Sequence, residues 1–184
     1  MKIVYHVSEQ IIMDILFLGD SLIEYFDWNE RFPGHNIFNL GIAGESVQGL
    51  LSRVMKISET SQNAEMIFIM TGINNVAMDD TDFISFYRII LEKLKETYPQ
   101  ASVHVSSLLP AVIEFIDNKS VKDINVRLKE LAGNMGVDYM DIYKMFVDTK
   151  GNPIKDYLMA DGVHISVAGY DVWSHAVEKV IGDR

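Results

Sequence analysis

The sequence predicts an α/β fold in which a parallel sheet of five strands lies between two layers of helices. Short, nearly continuous apolar runs alternate along the chain with longer segments whose apolar residues recur every three or four positions. Continuous runs are typical of strands covered on both faces, and the second pattern is typical of helices with one buried face. Their alternation favours a three-layer α/β/α arrangement, because each right-handed crossover places a helix on one face of the sheet.

Five strands and four helices follow from these two patterns. The predicted strands are Ile15–Leu18, Ile37–Leu40, Met66–Met70, Val103–Leu109 and Val137–Met140. The predicted helices are Ser46–Ile57, Phe83–Tyr98, Val121–Ala132 and Val167–Ile181. We expect the flavodoxin-like strand order 2-1-3-4-5, in which the second and third strands flank the first.

The length of the chain favours a single domain. It has 184 residues and contains no repeat, low-complexity stretch or linker, and a chain of this size can bury one full hydrophobic core. We therefore expect one domain over residues 1–184. The first strand begins just after Met13, so residues 1–13 are interpreted as an N-terminal extension, with Met13 as an alternative start.

Charge and composition narrow the classes of partner. The chain has 26 acidic and 16 basic residues, a net charge of −10, which repels nucleic acid and anionic membranes. It has no cysteine, which excludes disulfides, thiolate metal sites and a cysteine nucleophile. Residues 1–13 lack the pattern of a signal peptide, and no apolar run approaches the roughly 18 residues that cross a bilayer. We expect a cytoplasmic protein without membrane insertion, and the sequence leaves its oligomeric state open.

Polar and small residues follow the first three predicted strands. Gly19-Asp20-Ser21-Leu22 follows the first strand, Gly41 the second and Gly72-Ile73-Asn74 the third. Ligands of open α/β sheets bind beyond the carboxyl ends of the strands. In the predicted strand order, Ser21 therefore lies between Gly41 and Asn74.

These residue types suit acyl transfer. A serine hydroxyl is a weak nucleophile unless a base accepts its proton, and the oxyanion that forms needs hydrogen-bond donors aimed at it. The backbone N–H groups of Ser21 and Gly41 and the side-chain amide of Asn74 are candidate donors. The sequence thus predicts an oxyanion hole made of Ser21, Gly41 and Asn74.

The base is predicted in the turn Asp161-Gly162-Val163-His164 near the C-terminus. Asp161 and His164 are three residues apart, so the carboxylate can accept from Nδ1–H of the imidazole and leave Nε2 facing Ser21. Ser21, Asp161 and His164 are therefore the predicted catalytic residues.

With these four blocks in this order, the chain resembles the GDSL, or SGNH, hydrolases from Asp14 to the C-terminus. The family's Ser, Gly, Asn and His blocks match Ser21, Gly41, Asn74 and His164. The resemblance implies an α/β/α fold, no metal or organic cofactor, and a small-molecule ester or thioester substrate that is hydrolysed through an acyl-serine. It also implies that the five site residues, including Asp161, have the family's roles.

Two details refine the resemblance. The third block often reads Gly-x-Asn-Asp, but this chain has Asn75 in place of the Asp, so the structural hydrogen bonds of that acid are in question. Three segments look most like the branch related to platelet-activating factor acetylhydrolases, namely Asn39–Gly49, Gly72-Ile73-Asn74-Asn75 and Leu108-Leu109-Pro110. This resemblance implies short acyl groups such as acetyl. We expect the substrate walls to come from Ala111–Lys119 and Tyr143–Tyr157.

Other interpretations of the same residues exist. Ser21 can be a helix cap and His164 a surface residue, which would leave a flavodoxin-like module that binds a phosphate-bearing small molecule without catalysis. The segment Gly41–Gly44 argues against this, since it lacks the third glycine and the lysine of phosphate-binding loops. An idle scaffold would leave the Asp161 and His164 pair unexplained. Asp20 is interpreted as structural, and Ser46 as lying near a helix start.

Overall fold

The computed structural model describes residues 11–60 and 63–183 and contains a five-stranded sheet with strand order β2-β1-β3-β4-β5. All pairings are parallel. The strands are β1 Asp14–Gly19, β2 Asn36–Gly41, β3 Met66–Met70, β4 Ser102–Ser106 and β5 Asp138–Met140. The predicted α/β class and strand order are confirmed.

Eight α-helices lie in the part of the chain that the structure describes. They are α1 Ser21–Glu24, α2 Trp28–Arg31, α3 Val47–Arg53, α4 Ile57–Thr60, α5 Ile73–Ala77, α6 Ile84–Thr97, α7 Asn118–Met135 and α8 Val167–Gly182. Single turns of 3₁₀-helix occupy Val54–Lys56, Tyr143–Met145 and Lys155–Tyr157. None of the helices within these described ranges is long and apolar enough to cross a bilayer.

The continuous apolar strands are buried on both faces, as their sequences predict. Residues 15–18 of β1 have no exposed surface, and β3 is buried along its whole length. On one face Phe17 stacks on Trp28 at 4.0 Å between ring centroids, and Trp28 meets Trp173 edge-on at 5.2 Å. This aromatic cluster holds α2 and α8 against β1. On the other face Tyr139 of β5 donates a hydrogen bond to the carbonyl of Asn125 in α7.

Helix α7 is three residues longer at each end than predicted, and two predicted elements end three or four residues earlier in the structure. Strand β4 stops at Ser106 rather than Leu109, because both backbone groups of Leu108 bond to the side chain of Asn125, at 2.7 and 2.9 Å. The helix predicted to run to Ile57 ends at Arg53 and continues as a 3₁₀ turn and α4. The buried residues Val54 and Ile57 are three apart, a spacing that fits a 3₁₀ turn as well as an α-helix.

The N-terminal extension can be described only in part. Residues 1–10 of the segment predicted as an extension lie outside the described residues. Ile11 and Ile12 are exposed, whereas Met13 is buried and its carbonyl accepts a hydrogen bond from the N–H of Asn36 at 2.9 Å. The chain is thus joined to the sheet from Met13 onward.

Candidate active site

Ser21 lies at the point where β1 ends and α1 begins. A Cβ on Gly19 would overlap the carbonyl oxygen of Met70, so only glycine permits the ends of β1 and β3 to approach this closely. Asp20 is the N-cap of α1 and accepts a hydrogen bond from the N–H of Leu22 at 3.0 Å, which confirms the structural role predicted for it. Ser21 is therefore fixed at the carboxyl edge of the sheet, with 6% of its surface exposed.

The structure brings Ser21, His164 and Asp161 together in one hydrogen-bonded chain. The Oγ atom of Ser21 lies 3.0 Å from Nε2 of His164, and Nδ1 of His164 lies 2.7 Å from Oδ2 of Asp161. An ionised carboxylate can only accept, so Nδ1 carries the imidazole proton and Nε2 is the acceptor for the serine hydroxyl. This is the geometry required of a serine nucleophile and its base.

Asp161 is held ionised by its own turn. Its Oδ1 atom accepts from the backbone N–H groups of Val163 and His164, both at 2.9 Å. The bond from Val163, followed by those from His164, holds the pKa of Asp161 below its usual range despite partial burial. Asp161 is thus a permanent acceptor that orients the imidazole at neutral pH.

The turn that carries His164 is attached to the segment after β4. The carbonyl of Gly162 accepts a hydrogen bond from the N–H of Val112 at 2.7 Å, and a Cβ on Gly162 would overlap the carbonyl of Val112. A second bond joins the N–H of Met159 to the carbonyl of His164 at 2.7 Å. About a third of the His164 side chain and half of the Asp161 side chain stay exposed, so substrate and water can reach them.

Asn74 lies at the start of α5, after β3. Its Nδ2 atom donates to the carbonyl of Glu45 at 3.0 Å, and since the amide carries two hydrogens, the second is available to a ligand. The structure thus brings the uncharged amide of Asn74 and the imidazole of His164 to the same cavity.

The side chain of Asn75, which replaces the usual acid of the third block, makes three hydrogen bonds. Its Oδ1 accepts from the N–H of Val47 at 2.9 Å, and its Nδ2 donates to Gln48 at 2.7 Å and to Asp80 at 2.8 Å. The bonds from Gln48 and then Asn75 hold the pKa of Asp80 below its usual range. An amide at this position therefore supports the buried link between α3 and α5.

The N–H of Gly41 is already engaged. It donates to Oδ1 of Asn39 at 3.1 Å, and a Cβ on Gly41 would overlap the backbone of Glu24. The prediction that Gly41 donates to an oxyanion therefore requires an exchange of this bond. Its glycine identity has a separate cause, the close packing of β2 against α1.

Gly44 is a residue that sequence reasoning did not select. It has a φ of +74°, which favours glycine, and its N–H has no hydrogen-bond acceptor among the described residues. The turn that contains it is closed by a bond from the N–H of Glu45 to the carbonyl of Ile42, and Asn74 is bonded to the carbonyl of Glu45. The paired glycines before the helix cap Ser46 were the available signal, and the structure confirms that Ser46 lies at a helix start, as the N-cap of α3.

The turn of Gly44 is held by charged side chains. The guanidinium of Arg53 donates to both carboxylate oxygens of Glu45, at 2.7 and 2.6 Å, and to the carbonyl of Leu40 at 2.8 Å. On the other side, the carboxylate of Glu24 accepts from the N–H of Ala43 at 2.6 Å. The turn is therefore fixed from both sides.

The buried carboxyl of Asp20 interacts electrostatically with Glu45 and with His164. The Asp20 carboxyl is fully buried, and its Oδ2 atom has no hydrogen-bond partner among the described residues. Burial raises the pKa of Asp20 to about 7, opposed by the bond from Leu22; the charge of Glu45 raises that pKa further and His164 lowers it. Asp20 is thus readily protonated near neutral pH.

One of the two predicted substrate walls contributes to the cavity beside His164. The cavity is lined by Ile113, Phe115 and Ile116 from the predicted segment Ala111–Lys119. No residue of the other predicted segment, Tyr143–Tyr157, lines it. The second segment instead folds on itself through a bridge between Val147 and Pro153. Across residues 11–60 and 63–183, no group of three or more His, Asp or Glu side chains is arranged to hold a metal ion.

Comparison with known proteins assigns the family. The family model described as GDSL-like Lipase/Acylhydrolase matches residues 17–172, which contain Ser21, Asn74, Asp161 and His164. The chain belongs to this family. It is thus a GDSL-type ester hydrolase, as the resemblance in its four blocks implied.

Individual relatives agree with the GDSL-like assignment. The platelet-activating factor acetylhydrolase IB subunit alpha1 of Bos taurus is 27% identical over 177 residues, which cover 91% of this chain and 75% of that protein. The subunit alpha2 of Rattus norvegicus is 27% identical over 166 residues, covering 85% and 71%.

Solved structures of GDSL-like enzymes share the fold. A Streptococcus pneumonia protein named after platelet activating factor superimposes with a TM-score of 0.83 and 26% identity, covering 96% of this chain and 86% of its own. An acetylxylan esterase from Geobacillus stearothermophilus superimposes with a TM-score of 0.74 over 92% and 94% of the two chains. Its 19% identity supports the fold alone.

Proposed function

We propose that this GDSL-like hydrolase is a serine esterase in which Ser21 is the nucleophile, His164 the general base and Asp161 the residue that orients the base. The observation that carries the proposal is the continuous chain from Ser21 Oγ to His164 Nε2, at 3.0 Å, and from His164 Nδ1 to Asp161 Oδ2, at 2.7 Å. A surface histidine or a helix-capping serine has no need of this arrangement.

In the proposed acylation step, Ser21 Oγ attacks the ester carbonyl carbon while Nε2 of His164 accepts the hydroxyl proton. The carbonyl π electrons move to the oxygen and form an oxyanion. The same imidazole then protonates the leaving alkoxide, the ester C–O bond breaks, and an acyl-serine remains. Asp161 stays ionised throughout and stabilises the imidazolium that forms.

In the proposed deacylation step, His164 accepts a proton from water, whose oxygen attacks the acyl carbon. Collapse of the second oxyanion breaks the bond to Ser21 Oγ, which takes the proton back from His164 and releases the carboxylic acid. The exposed part of the His164 side chain gives water access to this position.

For the oxyanion, we propose donation from the N–H of Ser21 and the side-chain amide of Asn74. Ser21 is the first residue of α1, so its N–H has no acceptor within the helix. The third donor was predicted to be Gly41, and we propose Gly44 as its competitor, because the Gly44 N–H is unengaged among the described residues whereas that of Gly41 is bonded to Asn39.

The two glycines can be distinguished by amide NMR. Protein labelled with ¹⁵N-glycine gives at most 12 glycine signals. An alkyl fluorophosphonate phosphonylates the Ser21 hydroxyl with loss of HF and leaves a tetrahedral mimic of the oxyanion intermediate. The amide proton that donates to this mimic will move downfield. A shift at Gly44 with Gly41 unchanged supports Gly44, and the reverse result restores Gly41.

We propose carboxylic esters with short acyl groups, such as acetyl, as the first substrates to test, because the curated relatives are acetylhydrolases by name. The competing function, phosphate binding without chemistry, gains no support from the site, whose nucleophile and base already contact each other. It predicts a tightly bound nucleotide or phosphate compound in purified protein.

The decisive experiment is hydrolysis of p-nitrophenyl acetate by the wild type and by Ser21→Ala. We expect kcat to fall by about 10⁴- to 10⁶-fold in the variant. Ser102→Ala is the matched control, because Ser102 also contacts a histidine, His104 at 3.1 Å, but lies at the opposite edge of the sheet. Equal activity of Ser21→Ala and wild type would refute the proposed nucleophile.

A further inference from the structure

A cavity of about 260 Å³ opens directly beside the proposed catalytic residues. One end is formed by Asn74, Asp161 and His164, the donor, orienting residue and base of the proposed mechanism. A substrate group that enters this cavity is therefore attached near the reacting carbonyl, on either the acyl side or the alcohol side of the ester.

The remaining walls of the cavity are apolar. They are formed by Ile73, Ala77, Ile113, Phe115, Ile116 and Val163. None of these side chains offers a hydrogen-bond donor or acceptor, so a sugar or a charged group would lose its water contacts on entry without replacement. A hydrocarbon chain gains free energy from the same transfer.

The apolar wall is held in place before substrate binds. Asn118 joins both backbone groups of Ala111, at 2.9 and 2.7 Å, and Val112 is bonded to Gly162 in the histidine turn. Ile116 is buried, and Phe115 is 59% exposed at the rim. A preformed apolar site of this kind binds a chain without first having to order a loop.

The size of the cavity exceeds what an acetyl group needs. Its volume corresponds to about eight or nine groups of the size of water, at about 30 Å³ each, whereas acetyl presents a single methyl beyond the carbonyl. A chain of roughly four to eight carbons would occupy this space.

We infer that this cavity is a binding site for a hydrocarbon chain of the ester substrate, an inference that rests on the esterase function proposed above. The chain belongs either to the acyl group or to the alcohol, and the two have the same chemistry in the cavity. Substrate selection by this enzyme is then made by Phe115, Ala77 and their apolar neighbours rather than by hydrogen bonds.

Two substrate series separate the acyl from the alcohol chain. The first is p-nitrophenyl esters from acetyl to dodecanoyl, and the second is acetate esters of alcohols from ethanol to dodecanol, followed by acid release. In one series we expect kcat/KM to rise about threefold to fourfold per methylene up to roughly six or eight carbons and then to level off or fall. The series in which this rise occurs identifies the chain that enters the cavity.

Variants link the chain-length profile to the cavity. Ala77→Phe places a ring in the cavity, so the ratio of kcat/KM for the best chain to that for the shortest should fall by about tenfold or more, with the optimum shifted to shorter chains. Phe115→Ser removes apolar surface at the rim and should lower the same ratio by about fourfold. Val126→Phe is the control, since Val126 is 58% exposed on α7 and does not line the cavity; its ratio should equal that of wild type.

A flat profile in both series would overturn the inference, as would a profile that Ala77→Phe leaves unchanged in a variant that melts like the wild type. Failure of the esterase proposal gives a different result, namely no hydrolysis in either series and no labelling of Ser21 by the fluorophosphonate. Hydrolysis that depends on Ser21 but ignores chain length would therefore reject the cavity assignment and keep the esterase.

Discussion

Within the described residues, two Ser–His–Asp sets lie at opposite edges of the sheet. Ser21, His164 and Asp161 lie beyond the carboxyl ends of the strands, with contacts of 3.0 and 2.7 Å. Ser102 and Asp138 begin β4 and β5 at the amino edge, where His104 lies 3.1 Å from the serine hydroxyl and 3.4 Å from the carboxylate. The residue types are the same, so their surroundings must distinguish them.

The surroundings differ in three respects. His164 is partly exposed, whereas His104 is buried and stacks on Phe68 at 5.0 Å between ring centroids. Asp161 is fixed by two backbone N–H groups, and the Asp138 side chain is 72% exposed. Ser21 begins a helix, whereas Ser102 is in a strand and its hydroxyl is 3.4 Å from the carbonyl of Glu65.

Cavity size does not identify the site either. A larger cavity of about 1010 Å³ lies at the amino edge, lined among others by Arg31, His35, Glu65 and Glu178. None of its lining residues in the described part of the chain is a serine. The comparison teaches that a nucleophile is recognised by the donors and the base around it, which the carboxyl edge supplies because helices start there.

After the serines, the largest difference between the two sets is expected from their acids. Asp161→Asn keeps the shape of the side chain but removes the acceptor that sets the His164 tautomer, so kcat should fall by about 10⁴-fold. Asp138→Asn should leave kcat unchanged, because His104 is not in the proposed mechanism. Steady-state kinetics on p-nitrophenyl acetate tests both, and equal losses in the two variants would show that the distinction between the edges is wrong.

A smaller loss is expected from the oxyanion donor. Asn74→Ala should lower kcat by about 10²- to 10³-fold with little change in KM, since the donor acts mainly on the oxyanion. Fluorophosphonate labelling of Ser21 should slow in parallel, because it passes through a similar geometry. A change confined to KM would remove Asn74 from the oxyanion hole.

A still smaller effect is expected from the ion pair that fixes the turn of Gly44. Arg53→Met frees Glu45 and the turn, and a misplacement of well under 1 Å should lower kcat by about tenfold. Arg53→Lys should recover part of this loss. The matched control is Arg31→Met, which removes a comparable pair with Glu178 at the amino edge, with contacts of 3.1 and 2.7 Å.

Both arginine variants are expected to lose some stability. Their kcat values are therefore to be compared at temperatures that lie the same number of degrees below each variant's melting temperature. If Arg31→Met and Arg53→Met lose the same activity, the Arg53 effect is a general loss of stability. A loss limited to Arg53→Met assigns it to the position of the turn.

The smallest effect on activity, but a clear effect on stability, is expected from Asp20→Asn. The folded-state pKa of Asp20 is raised to about 7 from an ordinary 3.8, so the folded protein holds a proton that the unfolded chain has lost between these pH values. The free energy of unfolding therefore decreases as pH rises through that window, by up to about 4 kcal/mol. The amide cannot ionise, so the stability of Asp20→Asn relative to wild type should increase between pH 5 and pH 8, as measured by urea unfolding. A difference that is independent of pH would contradict the raised pKa.

The sheet and the contacts among the candidate site residues could be predicted because they depend on short-range patterns. A strand buried on both faces must be apolar along its length, as residues 15–18 are, and the residues after it are then placed at the carboxyl edge. The three-residue spacing of Asp161 and His164 likewise fixes their contact within one turn. The role proposed for Ser21 rests on these positions and on the blocks that match the family.

The details that the sequence did not reveal depend on single polar side chains acting across the fold. Asn125 ends β4 by bonding both backbone groups of Leu108, 17 residues away. Asn39 donates to the carbonyls of Ile23, Glu24 and Phe26 and accepts from Gly41, which decides that this N–H is engaged. The spacing of apolar residues in the sequence does not indicate such contacts, because they depend on side-chain rotamers and on elements that are distant along the chain. For the same reason the short helices α1, α2 and α5 were not predicted.

The aromatic cluster on β1 also provides a spectroscopic probe. The chain has two tryptophans, Trp28 and Trp173, and both are buried in this cluster, 5.2 Å apart. Intrinsic tryptophan emission therefore reports one location, the packing of α2 and α8 on β1, and should be blue-shifted in the native protein. Inactivation by heat or by a variant that leaves this emission unchanged can then be assigned to damage outside the cluster, whereas a red shift marks the opening of the core.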